Sequence, residues 1–178
     1  MDTVLGLPLH PLVVHGTVVV VPVAALTVLV AGLWRRTRSR LAWPAFVASV
    51  VATGLVGLAG LSGEPFASQV PPSALVAHHA QLAKVLVVWV LAMTGASFVL
   101  AYAVWRRAGF PVPSWLRIPR WLVALATPRW AAQVAAVRWI VPLAVGLSVL
   151  TGAGTLVQVV LVGHSGAAAT WSTGAGHR

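Results

Sequence analysis

Four long apolar runs constrain this chain more than any other feature. They cover residues 11–33, 41–63, 74–104 and 139–163. Each is long enough to cross a bilayer, which takes about 20 apolar residues. Backbone inside lipid must satisfy its own hydrogen bonds, so runs of this kind are helices. The expected fold is all-α: a polytopic membrane protein, a four-transmembrane-helix bundle in a single domain over 1–178. Composition agrees, because only 8% of residues are charged against roughly 25% in soluble domains.

Arginine sets the orientation. Arg35, Arg36, Arg38 and Arg40 follow the first run, and Arg106, Arg107, Arg117, Arg120, Arg129 and Arg138 lie between the third and fourth. The N-terminus and the loop between runs two and three hold no Lys or Arg. The positive-inside rule then places both Arg-rich connections in the cytoplasm and both termini outside. The first run has its charges behind it rather than before it, the reverse of a secretory leader, and is expected to be a retained helix. Pro11 suits its first turn, and Pro22 lies in mid-span.

The segment 109–138 is rich in Pro, Arg and Trp, with Trp115, Trp121 and Trp130. It is expected to lie on the membrane surface, where Trp prefers the headgroup level and Arg meets anionic lipid. Lipid, rather than nucleic acid, accounts for the basic excess. In the second run, Thr53 with Gly57 and Ala59 with Gly63 have the small-residue spacing that permits close helix approach. Glu64-Pro65 is expected to end that helix. The tail 164–178 is small and polar, and is expected to be flexible.

Polar residues gather at one side of this topology. His10 and His15 open the first helix, and His78 and His79 the third. Glu64 closes the second and His164 the fourth, all on the outer side. Lys84 lies a few turns inside helix three, placed to snorkel or to pair with Glu64. Imidazoles at this depth are costly to leave unpaired, and five of the six share one layer. A faint duplication supports the grouping. Runs one and three begin with His and end in Trp-Arg-Arg. Runs two and four end in Leu61-Ser62-Gly63-Glu64 and Leu161-Val162-Gly163-His164. Two parallel hairpins related about the membrane normal are implied, with His15 the equivalent of His79. Their helices would be diagonal, roughly 11–14 Å apart.

The opening Leu9-His10-Pro11-Leu12-Val13-Val14-His15, with Gly63-Glu64, His79-Ala80 and Gly163-His164-Ser165-Gly166, resembles a bacterial membrane domain family of unknown function, numbered 2231. Gly16 stands where that family usually has an aromatic. The resemblance covers most of the chain. It implies a four-helix domain of the bacterial cytoplasmic membrane, often considered for haem or metal binding.

Three function classes follow. The first is a b-type haem for electron transfer, with His15 and His79 as axial ligands and an extracytoplasmic or membrane-embedded redox partner. The second is a non-haem Zn, Cu or Fe site drawn from His10, His15, His79, His164 and Glu64. The third is a cofactor-free structural or transport subunit. The absence of cysteine excludes covalent c-type haem and Cys-ligated clusters. A paired-carboxylate hydrolase lacks its second acid, since Asp2 is the only acid besides Glu64. No Gly-x-Ser-x-Gly elbow and no phosphate-binding glycine loop occurs.

Overall fold

The computed structural model describes residues 3–4, 7–67, 73–108 and 139–174. A short antiparallel pair, β1 (Thr3–Val4) and β2 (Leu7–Pro8), leads into four helices. These are α1 (Leu9–Leu33), α2 (Arg35–Ala67), α3 (Ala74–Ala108) and α4 (Ile140–Gly174). All four are long and apolar enough to cross a membrane, and the chain is a multi-pass membrane protein. The surface segment expected at 109–138 lies outside the described residues.

The helices pack in a closed ring: α1 on α2, α2 on α3, α3 on α4, α4 on α1. Contact between α1 and α3 is slight, so these two are diagonal, as the sequence predicts. The interior mixes small residues with a few large ones such as Leu86, Met93 and Leu100. Ala24, Ala45, Ala52 and Ala144 are buried, with Ser49, Ser97 and Ser148. Large apolar residues face outward: Leu61 is 74% exposed, Val160 67% and Val88 66%. Water would penalise that distribution, whereas lipid tails solvate Leu and Val as well as a core does. Association then depends on close packing and interhelical polar bonds. Gly154 illustrates the packing, since a Cβ there would overlap the Trp89 ring. The Thr53 and Thr94 hydroxyls bond at 2.8 Å between α2 and α3. Buried Gln158 on α4 donates from Nε2 to the Leu82 carbonyl of α3 at 2.9 Å.

The helix ends differ from the sequence expectation in three places. Arg35 to Arg40 form the first turns of α2, not a loop, and only Trp34 separates α1 from α2. Arg38 makes this tight reversal tenable. Its Nε donates to the Ala31 carbonyl at 3.1 Å, and its Nη2 to the Gly32 carbonyl. A cation thereby satisfies carbonyls that the end of α1 leaves open, at the negative end of the helix dipole. Second, α2 continues through Glu64-Pro65 to Ala67. Pro65 lies in the last turn, where its missing N–H costs one helical bond rather than a run of them. Third, α4 passes His164 and ends at Gly174. The run Ala167-Ala168-Ala169 favours helix, and no proline follows it.

Of the small residues on α2, Gly57 meets nothing within 4 Å and lines no helix contact. Gly63 does.

Candidate functional site

Two histidines continue the core stripes of diagonal helices. On α1 the buried residues Thr17, Ala24 and Ala31 recur every seven residues, close to two helical turns. His10 is the next position outward and is half-buried. On α3 the buried Leu86, Met93 and Leu100 recur in the same way, and half-buried His79 is their outward continuation.

Each ring is clasped by a serine and a glycine of the next helix. His10 Nδ1 lies 3.2 Å from Ser62 Oγ of α2. His79 Nδ1 lies 3.0 Å from Ser165 Oγ of α4. Each serine hydroxyl donates within its own helix, Ser62 to the Ala59 carbonyl at 3.2 Å and Ser165 to the Val162 carbonyl at 2.9 Å. A hydroxyl has one proton, so both imidazoles donate to it from Nδ1–H. The His10 ring also hydrogen-bonds the Ala59 carbonyl. The glycine after each serine supplies the seat. A Cβ at Gly63 would stand 3.1 Å from His10 Cε1, and one at Gly166 would stand 3.1 Å from His79 Cε1.

The two hairpins repeat one pattern of burial and contacts, in a register that differs from the sequence reading. His10, not His15, is the equivalent of His79. Ser62-Gly63 is the equivalent of Ser165-Gly166, not of Val162-Gly163. The shift that carries His10 to His79 also carries buried Thr17, Val21 and Ala24 to buried Leu86, Val90 and Met93. The shift that carries Ser62 to Ser165 carries buried Ala45, Ala52 and Val56 to buried Ser148, Thr155 and Val159. Trp-Arg-Arg misaligns because Trp34-Arg35-Arg36 spans the turn from α1 into α2, whereas Trp105-Arg106-Arg107 lies in the last turns of α3.

The other polar residues do not join this layer's interior. Five residues along a helix is about 140° around it, so His15 turns away from the His10 stripe. It is exposed, and its Nδ1–H donates to the Pro11 carbonyl of its own helix at 2.6 Å. His78, His164, Glu64 and Lys84 are exposed. No Glu64–Lys84 ion pair is among the described contacts. Among the described residues, no three of His, Asp or Glu gather closely enough to hold a metal ion. The set His10, His15, His79, His164 and Glu64 is thus not brought together as a metal site among the described residues.

Ser62 and Ser165 escape a search for titratable residues. Their signal is the Ser-Gly pair near the end of runs two and four, visible once both are written in the register of the core. No protein-family model, curated protein or solved structure matches the chain.

Proposed function

We propose that this protein is a bacterial cytoplasmic-membrane electron carrier that binds one b-type haem at the outer end of its bundle, with His10 and His79 as axial ligands. One observation carries the reading: the two imidazoles occupy equivalent places on the core stripes of diagonal helices, each oriented by a serine. Axial ligation needs only two nitrogens, which suits a pair better than a cluster. Ligating histidines normally donate their other ring N–H to a fixed acceptor, which sets the tautomer and leaves the second nitrogen as the ligand. Ser62 and Ser165 play that part here. A bound haem would supply one-electron chemistry, and the chain would supply ligands and a water-poor setting. The redox partner on this reading is extracytoplasmic or membrane-embedded, because the arginine distribution places both termini and the histidine layer outside.

The visible spectrum of full-length protein, produced with ample haem, tests the proposal. A low-spin haem spectrum is expected, lost in His10→Ala and in His79→Ala and kept in His15→Ala. A wild-type protein without haem absorbance would refute it, as would loss of the spectrum in His15→Ala with retention in His10→Ala. Orientation is tested separately with a cysteine in place of Ser39. Labelling of that cysteine by an impermeant reagent in intact cells would reverse the topology.

A second reading has its own support. The Ser and Gly contacts already account for the ring positions, so the pair of clasps can also serve as cofactor-free locks between hairpin helices in a structural or transport subunit. On that reading the purified protein is colourless, and replacing either histidine changes stability alone.

A further inference from the structure

Five aromatic rings form a closed circuit on the seam between α2 and α3, near the Trp34 end of the bundle. Trp43 meets Phe46 with ring centroids 5.7 Å apart, and Phe46 meets Phe98 at 5.3 Å. Phe98 meets Tyr102 at 6.1 Å, Tyr102 meets Trp105 at 5.4 Å, and Trp105 returns to Trp43 at 6.5 Å. Phe98 of the circuit is exposed to lipid, as are Val47 and Val50 of α2, while the other four rings are half-buried.

Helical spacing places basic residues directly beyond these rings. Arg36 and Arg40 precede Trp43 by seven and three residues, and so lie on its stripe. Arg106 follows Tyr102 by four residues on α3. The Trp43–Trp105 contact joins the two helix ends, so helical spacing puts all three arginines along one seam. Glu64, the one acid among the described residues, closes α2 at the opposite end of the bundle. Arg38, by contrast, is committed to the Ala31 and Gly32 carbonyls.

A basic rim over an aromatic floor at a membrane face complements one kind of molecule. We infer that the α2–α3 seam binds an anionic phospholipid, its phosphate held by Arg36, Arg40 and Arg106. Its glycerol and first acyl carbons would rest on Trp43, Phe98, Tyr102 and Trp105. Guanidinium forks match phosphate oxygens in pairs of hydrogen bonds, and basic pockets between helices on the cytoplasmic side suit anionic headgroups. Free phosphate would use the arginines but leave the aromatic floor without a role.

The test uses the purified full chain in neutral detergent, with unfolding temperature as the readout. Dioleoyl phosphatidylglycerol is expected to raise that temperature saturably. Dioleoyl phosphatidylcholine and inorganic phosphate are expected to leave it unchanged. R36Q/R40Q/R106Q should raise the half-saturating phosphatidylglycerol concentration at least tenfold. F98L/Y102L, which keeps every charge and removes part of the aromatic floor, should raise it at least threefold. No change in F98L/Y102L would overturn the site in favour of general attraction. A shift produced by inorganic phosphate would overturn the lipid assignment. Should the seam variant fail to fold, the wild-type comparison still decides, since an equal response to phosphatidylcholine refutes an anionic site.

Discussion

The two histidine clasps yield a quantitative expectation through paired double-mutant cycles, His10→Ala with Ser62→Ala and His79→Ala with Ser165→Ala. The cycle removes what each truncation does alone, including the space left beside Gly63 or Gly166, and isolates the imidazole–hydroxyl term. A neutral hydrogen bond nets about 0.5–1.5 kcal/mol in proteins, and comparable interhelical bonds in membranes average about 0.6 with a maximum of about 1.7. The His79–Ser165 bond is the shorter of the two, at 3.0 Å against 3.2 Å. His10 keeps the Ala59 carbonyl as an acceptor when Ser62 is removed. The expected coupling is therefore about 1 kcal/mol for His79–Ser165 and about half that for His10–Ser62. The crossed pairs, His10 with Ser165 and His79 with Ser62, should couple by less than about 0.3 kcal/mol, because neither pair shares a bond. Reversible unfolding in mixed micelles with increasing dodecyl sulfate, followed by far-ultraviolet circular dichroism, measures all eight variants. Crossed couplings as large as the direct ones, or direct couplings below about 0.3 kcal/mol in both hairpins, would refute the clasp argument.

Glycines of α2 and α4 should divide by what faces them. Gly154→Ala forces a Cβ into the Trp89 ring and should cost about 1–3 kcal/mol as overpacking, whereas Gly57→Ala, with open space around it, should be neutral or stabilise by up to about 1 kcal/mol through helix propensity. The same unfolding assay checks both, and equal effects at the two sites would contradict the packing. Arg38→Ala removes a charged donor from the Ala31 and Gly32 carbonyls and should destabilise the first hairpin by about 1.5–3 kcal/mol. Hydrogen exchange of the α1–α2 turn should then rise more than that of α3 and α4. Uniform exchange across the four helices would argue against a local cap.

What was legible in the sequence was whatever depends on composition over a whole turn or more. Span number, helical class and the diagonal placement of helices one and three follow from apolar length and connectivity. Register was harder, because a membrane helix loses the polar face that marks orientation in a soluble one. In α1, Val18, Val19 and Val23 face outward while Val21 and Val28 are buried, so residue type alone cannot tell the two sides apart. The sequence alone accordingly pairs His15 with His79, where the structure has His10. The informative marks were small residues: Gly63 and Gly166 admit a ring, and Ser62 and Ser165 turn it. The helix ends were misjudged for a related reason. Glu64-Pro65 and the alanine-rich stretch after His164 read as loop when polarity is the guide, yet a proline in a last turn and a run of alanines are both compatible with helix.

The corrected register bears on what the outer layer can hold. With His10 matched to His79, and Ser62-Gly63 to Ser165-Gly166, the sequence around the ring is His, Gly, His, Gly on α1 to α4. An axis along the membrane normal then relates the two hairpins. The imidazoles stand on opposite helices, and each is seated on the glycine of its neighbouring helix. A metal ion bound by three or four side chains would need donors on the glycine-bearing helices as well, and their outer turns offer only the exposed Glu64 and His164. A ligand that takes two donors needs no more than the two histidines, which is why exchanging His15 for His10 favours the proposed two-ligand reading over the cluster. The equivalence of the two histidines gives the proposed haem site a falsifiable symmetry: His10→Ala and His79→Ala should lower haem absorbance to the same extent. A protein that loses haem with one substitution and keeps it with the other has its ligands elsewhere.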